Sequence, residues 1–163
     1  MKRWIAVYTK PRYEKKVHAL LEEKGIESYL PLIRQRRQWS DRKKWVDVPL
    51  FRSYIFVHTV PKDSLWVLQT PGVHHIIKFK NEIAFIMDEQ IEAIRTSIEG
   101  GLKPEATDYF TVGEEVEIIA GPMKGIRGLV AQIKGNEKFI LKIDAIQHAM
   151  SVHIERNYLR PVK

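Results

Sequence analysis

Apolar positions recur with two different periods along this chain, and the change between them divides it. Residues 3–8 are bulky, branched and alternating, which predicts a strand. Tyr13, Val17, Leu20 and Leu21 then fall at i, i+4, i+7 and i+8, the spacing of one helix face. Pro11 suits the first helical position and Gly25 the stop, with Arg12, Lys15, Lys16 and Glu22 on the wet side. Residues 27–32 read as a strand ended at Pro31, and residues 45–48 alternate again. Residues 53–57 are nearly continuously apolar and β-prone, as in a central strand. Ile55 and Val57 are therefore expected in the core, or Phe56 if the register slips by one. A short helix over 63–69 is anchored by Leu65, Trp66 and Leu68, a Pro-Gly turn follows, and residues 75–79 form a short strand. Asp88 caps a third helix in which Ile91, Ile94 and Ile98 share a face and which Gly100-Gly101 ends.

Periodicity then stops. Residues 100–110 are rich in Gly and polar side chains and read as a linker, which as a flexible coil would span roughly 18 Å. Short strands follow over 116–119, 128–133, 139–143 and 151–154, and residues 157–160 close a small barrel. Within that region Ala145, Ile146, Ala149 and Met150 tolerate a helix, whereas Val130, Ile133, Ile140 and Ile143 favour strands. The expected class is α+β: an antiparallel sheet flanked by helices over 1–99, a linker over 100–110, and an all-β domain over 111–163. So short a second domain is marginal as a lone core.

Composition narrows the chemistry. The 163 residues include no cysteine, which removes disulfides, thiolate metal sites and cysteine nucleophiles. No apolar run approaches the roughly 20 residues of a membrane span. The apolar start ends at Thr9-Lys10-Pro11, too early for a secretion signal, so a soluble cytoplasmic protein is expected; it is separately expected to be a monomer. The net charge of +7 is uneven: residues 1–57 carry +8 and the remainder −1. Much of it sits in Arg34, Arg36, Arg37, Arg42, Lys43 and Lys44, with Trp39 and Trp45 among them. A core has no use for such a stretch, so it reads as a long exposed hairpin or loop. Such runs often serve solubility alone. Arg and Lys interleaved with aromatics also suit a phosphate backbone and unstacked bases, so contact with DNA is expected here.

Two motifs point to a family. Val116-Glu117-Ile118-Ile119-Ala120 runs into Gly121-Pro122, then Gly125, Gly128 and Leu129-Val130. This resembles the KOW motif of NusG-type transcription factors and several ribosomal proteins, part of an SH3-like barrel. Trp4, Thr9-Lys10-Pro11-Arg12, Glu14 and Lys16-Val17 come first. Leu50-Phe51-Arg52-Ser53-Tyr54-Ile55-Phe56-Val57 and Thr70-Pro71-Gly72-Val73 follow, in an order that resembles the NusG N-terminal (NGN) domain. The likeness spans essentially the whole chain. Two departures, Phe51-Arg52-Ser53-Tyr54 where the family often has Phe-Pro-Gly-Tyr and the very basic central segment, resemble specialised paralogues of the RfaH kind.

The resemblance implies a transcription elongation or antitermination factor that catalyses nothing and needs no cofactor. Its NGN domain would bind the clamp helices of RNA polymerase through an apolar patch and suppress pausing. Its KOW domain would recruit a small-subunit ribosomal protein or Rho. For the patch it points to Phe51 and Tyr54, with Trp4 and Tyr8 on the neighbouring strand; pattern alone favours the core of a sheet-and-helix sandwich for them, and the resemblance reverses this for Phe51 and Tyr54 while leaving Trp4 and Tyr8 open between the two. Ala145 and Ile146 resemble the loop that meets the ribosomal protein, with Ile146 where a Phe is common; a plain hairpin turn fits them as well. A KOW-type RNA- or ribosome-binding protein is the alternative function. His74 and His75 are neighbours on a strand and so face opposite ways, and neither is assigned to a metal or to catalysis.

Overall fold

A computed structural model describes residues 1–39 and 41–162. The chain divides into two compact units, Met1–Phe85 and Ile86–Lys163. In the first, β1 (Arg3–Thr9) is followed by α1 (Glu14–Glu23), β2 (Glu27–Tyr29), β3 (Leu32–Trp39), β4 (Arg42–Pro49) and β5 (Tyr54–Thr59). A 3-10 turn at Pro61–Asp63 leads into α2 (Ser64–Leu68), then β6 (Val73–Ile76), β7 (Lys78–Phe79) and β8 (Glu82–Ile83). The strand order is β2-β5-β1-β6, and β3–β4 and β7–β8 form separate two-stranded ribbons.

The register of β1 against β5 sorts the sheet into two faces. Ile5 lies opposite Val57 and Val7 opposite Ile55 on one side; Trp4 lies opposite His58, Ala6 opposite Phe56 and Tyr8 opposite Tyr54 on the other. The first set joins Val17 and Leu21 of α1, Leu30, Val67 and Ile76 in one core cluster. The expected i, i+4, i+8 helix face is therefore the packed one at Val17 and Leu21. Ile55, Phe56 and Val57 are all fully buried, so the continuous apolar run does fill both faces of a central strand.

Two local expectations change. The helix opens at Glu14, not at Pro11, because Pro11 and Arg12 form a turn in which Arg12 takes φ 68° and the Tyr13 N–H donates to Lys10 O at 3.1 Å. The short helix α2 is anchored by Val67, which is wholly buried, while Leu65, Trp66 and Leu68 are exposed. A single turn of helix buries one stripe, and three of four apolar residues cannot share it.

The second unit begins at the end of the short strand β9 (Phe85–Ile86) and contains α3 (Asp88–Glu99), β10 (Glu105–Thr107), β11 (Glu114–Ile118) and β12 (Arg127–Ile133). It ends with β13 (Asn136–Ile143), a 3-10 turn at Asp144–Ile146, β14 (His148–Val152), a 3-10 turn at Arg156–Tyr158 and β15 (Leu159–Pro161). One antiparallel sheet runs β10-β14-β13-β12-β11-β15. Of the residues that tolerate helix by composition, Ala145 and Ile146 lie in the Asp144–Ile146 3-10 turn and Ala149 and Met150 in β14, while Val130, Ile133, Ile140 and Ile143 lie in β12 and β13 as their branching favours. Asp88 lies inside the first turn of α3 and makes no side-chain cap.

Helix α3, which the sequence reading joins to the first domain, belongs here to the second unit. Gln90 Nε2 donates to Lys142 O at 3.0 Å, and the buried Ser97 Oγ lies 3.8 Å from Met150 Sδ. The segment expected as linker contains β10, where Glu105, Ala106 and Thr107 pair with Ser151, Met150 and Ala149 of β14. Three residues are too few to show alternation, so this strand is invisible in the pattern.

The glycines of the Gly121-to-Gly128 motif have separate reasons. Gly121 and Gly125 take φ 86° and 94°, where a side chain is strained. At Gly128 a Cβ would sit 2.4 Å from Ile140 O and 2.6 Å from the Phe139 ring, so only glycine lets β12 approach β13.

Candidate functional site

Two regions of the first unit carry the residues singled out by sequence. The first is the ribbon of β3 and β4. Its register runs from Leu32 opposite Pro49 to Trp39 opposite Arg42, eight paired positions without a break. From Arg34 to Trp39 and from Arg42 to Trp45 every residue is exposed, so Arg34, Arg36, Arg37, Arg42, Lys43 and Lys44 all stand in solvent. At roughly 3.3 Å per residue the ribbon reaches about 25 Å. An isolated two-stranded ribbon has no core, and cross-strand contacts must hold it. Here they are cation–π pairs. The guanidinium carbons of Arg34 and Arg36 lie 5.6 and 6.0 Å from the Trp45 ring centre, and Lys44 Nζ lies 5.9 Å from that of Trp39.

The second region is the aromatic face of the sheet, and it differs from expectation. Phe51 is 1% exposed and Trp4 5%. Phe51 meets Phe56 edge to face at 6.4 Å, and Trp4 stacks on His58 at 4.7 Å. His58 Nδ1 in turn lies 2.9 Å from Glu27 Oε1. Both aromatics are enclosed and offer no area to a partner, which corrects their place in an exposed patch. Tyr8 and Tyr54 are half-buried and meet edge to face at 5.2 Å. Burial, then Tyr8, raises the Tyr54 pKa.

His74 and His75 complete this cluster, with ring centres 5.8 and 5.2 Å from that of Tyr8. They do not face opposite ways: their Nδ1 atoms are 2.7 Å apart. The reason is a bulge. Tyr8 pairs with His75 but Thr9 pairs with Val73, so His74 is an extra residue in β6 and swings to its neighbour's side. Partial burial, and secondarily the His74 charge, lower the His75 pKa. No signal in the sequence marks the bulge, and these two histidines were missed as members of the site. Among the described residues no group of three or more His, Asp or Glu is placed to hold a metal.

One buried carboxylate supports the cluster. Glu14, 6% exposed, accepts the Ser53 N–H at 2.9 Å through Oε2. Ser53 has φ 67°, a left-handed conformation that costs a non-glycine residue roughly 1–2 kcal/mol. The Glu14 bond holds this strained turn, and the turn sets the start of β5 at Tyr54.

In the second unit, Ile146 is 4% exposed and Ala145 is half-buried, so Ile146 is a core residue here and not an exposed anchor. The exposed apolar residues near that turn are Phe110 and Val112, at 73% and 88%. Tyr109 OH donates to Asp144 Oδ1 at 2.7 Å, which ties their segment to the Asp144–Ile146 turn.

Comparison with known proteins gives the class. The family model described as "Transcription termination factor nusG" matches residues 2–95. The chain belongs to the NusG family, whose members are transcription elongation and antitermination factors. It is 27% identical to the transcription termination/antitermination protein NusG of Staphylococcus carnosus, over 94% of this chain and 92% of that protein. The Staphylococcus epidermidis protein of the same name is 28% identical, again over 94% and 92%. A solved structure of Thermotoga maritima NusG has the same fold, with a TM-score of 0.56 at 22% identity, covering 100% of this chain and 98% of that one. Among the described residues no helix is long and apolar enough to cross a membrane.

Proposed function

We propose that this transcription factor docks on the clamp helices of RNA polymerase through Tyr8 and Tyr54, flanked by His74 and His75, and lays its basic ribbon on DNA in the transcription complex. The observation that carries the reading is the half-exposed Tyr8–Tyr54–His74–His75 cluster in a chain of this family. Aromatic rings backed by a rigid sheet bury a large area at small entropic cost. The second unit recruits a further partner, a small-subunit ribosomal protein or Rho, at the surface beside Ala145 where Phe110 and Val112 are exposed.

Retention of purified RNA polymerase on the immobilised full chain tests the docking. Polymerase is held by the wild type and lost with Tyr8→Ala/Tyr54→Ala, while ribosomal RNA retained in its place would favour a ribosome-binding protein. The DNA contact has its own test. Replacing Arg36, Arg37, Lys43 and Lys44 by Ala lowers the slope of log affinity against log salt by about 0.7–0.9 per lost phosphate contact, hence by roughly 3. An unchanged slope contradicts the DNA role.

A further inference from the structure

In an antiparallel pair, residues directly opposite each other project to the same side, and the sides alternate along each strand. The register of the ribbon pairs Arg34 with Asp47, Arg36 with Trp45 and Gln38 with Lys43. One face therefore carries Arg34, Arg36, Lys43 and Trp45, with the exposed Asp47 opposite Arg34 at its base. The pairs Arg37–Lys44 and Trp39–Arg42 put Arg37, Arg42, Lys44 and Trp39 on the other. Each face holds three basic side chains and one tryptophan. The cation–π contacts agree with this sorting, since Arg34 and Arg36 approach Trp45 and Lys44 approaches Trp39. Trp39 is 58% exposed and Trp45 56%, so neither face is covered.

A single strand lying along the ribbon would use one face and leave half of the charge in water. A ribbon lying flat in a duplex groove would do the same, and would give its tryptophans no unstacked base to meet. We propose that the ribbon is a wedge between two parted DNA strands, each face neutralising the phosphates of one strand and stacking one of its unpaired bases on Trp45 or Trp39. The preferred ligand is then a fork, where a duplex opens into two single-stranded arms. This rests on the reading of the ribbon as a DNA contact.

The test uses the full chain and three labelled DNAs of matched sequence: a single strand, a blunt duplex, and a fork with two non-complementary arms. Affinity is followed against salt for the wild type, for Arg34→Ala/Arg36→Ala/Lys43→Ala, and for Arg37→Ala/Arg42→Ala/Lys44→Ala. The fork binds most tightly, and each triple variant lowers its log–log slope by about 2, from three contacts at roughly 0.7 each. On the single strand each triple variant changes affinity by no more than a factor of about two, because the strand moves to the intact face. Trp39→Leu and Trp45→Leu each weaken the fork about tenfold. Arg→Lys versions of the same sites keep the slope, which separates lost charge from a collapsed ribbon. If only one triple variant affects the fork, the ribbon is one-sided and the wedge is overturned. A blunt duplex bound as well as the fork overturns it too, in favour of insertion into a groove. If neither triple variant alters the slope on any DNA, the reading of the ribbon as a DNA contact falls with it.

Discussion

Trp39 and Trp45 on the ribbon, and Trp4 and Phe51 on the central sheet, are side chains of one kind in opposite situations. The ribbon tryptophans are more than half exposed, while Trp4 and Phe51 are almost wholly enclosed. The difference lies in what backs them. A two-stranded ribbon with basic residues on both faces has nothing to fold against, so its aromatics stay in solvent with cations beside them. Trp4 has His58 and Phe51 has Phe56 within ring-contact distance. An aromatic at an interface-like sequence position becomes an anchor only where its neighbours leave it open, and here that condition holds for Tyr8 and Tyr54.

Substitution separates the two situations. Phe51→Ala lowers the unfolding free energy by about 3–5 kcal/mol, as truncation of a packed core aromatic does, whereas Trp45→Ala, which loses only exposed cation–π contacts with Arg34 and Arg36, costs about 1 kcal/mol. Denaturant titration of the two variants reads this directly, and equal losses would erase the distinction. Glu14→Ala comes next. It leaves the half-buried Ser53 N–H without its acceptor and costs about 1–2 kcal/mol, and Glu14→Gln recovers much of that because the amide oxygen still accepts. Ser53→Gly has a smaller effect of opposite sign. Relief of the left-handed strain exceeds the added freedom of the unfolded chain, and the midpoint of unfolding rises by the equivalent of about 0.5 kcal/mol.

The smallest effect is a pH dependence. His75 has a lower pKa in the folded chain than the ordinary 6.5, so the folded state binds its proton less readily than the unfolded state. Its contribution to stability is present above pH 6.5 and is lost as the pH falls through the lowered value. Thermal melts at pH 7.5 and 5.5 should show a smaller drop for His75→Gln than for the wild type; an equal drop would remove the histidine from the account.

The ribbon was legible in the sequence because nothing competes with its pattern: six cations and two tryptophans in twelve residues admit no buried arrangement. The central strand was legible for the converse reason, that an unbroken apolar run must be covered on both faces. The patch was legible only in part. Phe51 and Tyr54 are three residues apart on one turn, and the left-handed Ser53, held by a glutamate 39 positions earlier, decides which of them turns inward. The bulge at His74 depends on pairing with β1 and leaves no local mark. Helix α3 has the amphipathic pattern of any surface helix, and the sequence does not say which unit it belongs with; the contacts of Gln90 with Lys142 and of Ser97 with Met150 do.

In vitro transcription with purified RNA polymerase, on templates with and without a terminator, addresses the polymerase-docking claim most directly. The full chain raises read-through and shortens pauses, and Tyr8→Ala/Tyr54→Ala abolishes both effects without lowering the melting temperature by more than a few degrees. A wild-type chain that leaves elongation and termination unchanged, or a double variant that acts as the wild type does, contradicts it.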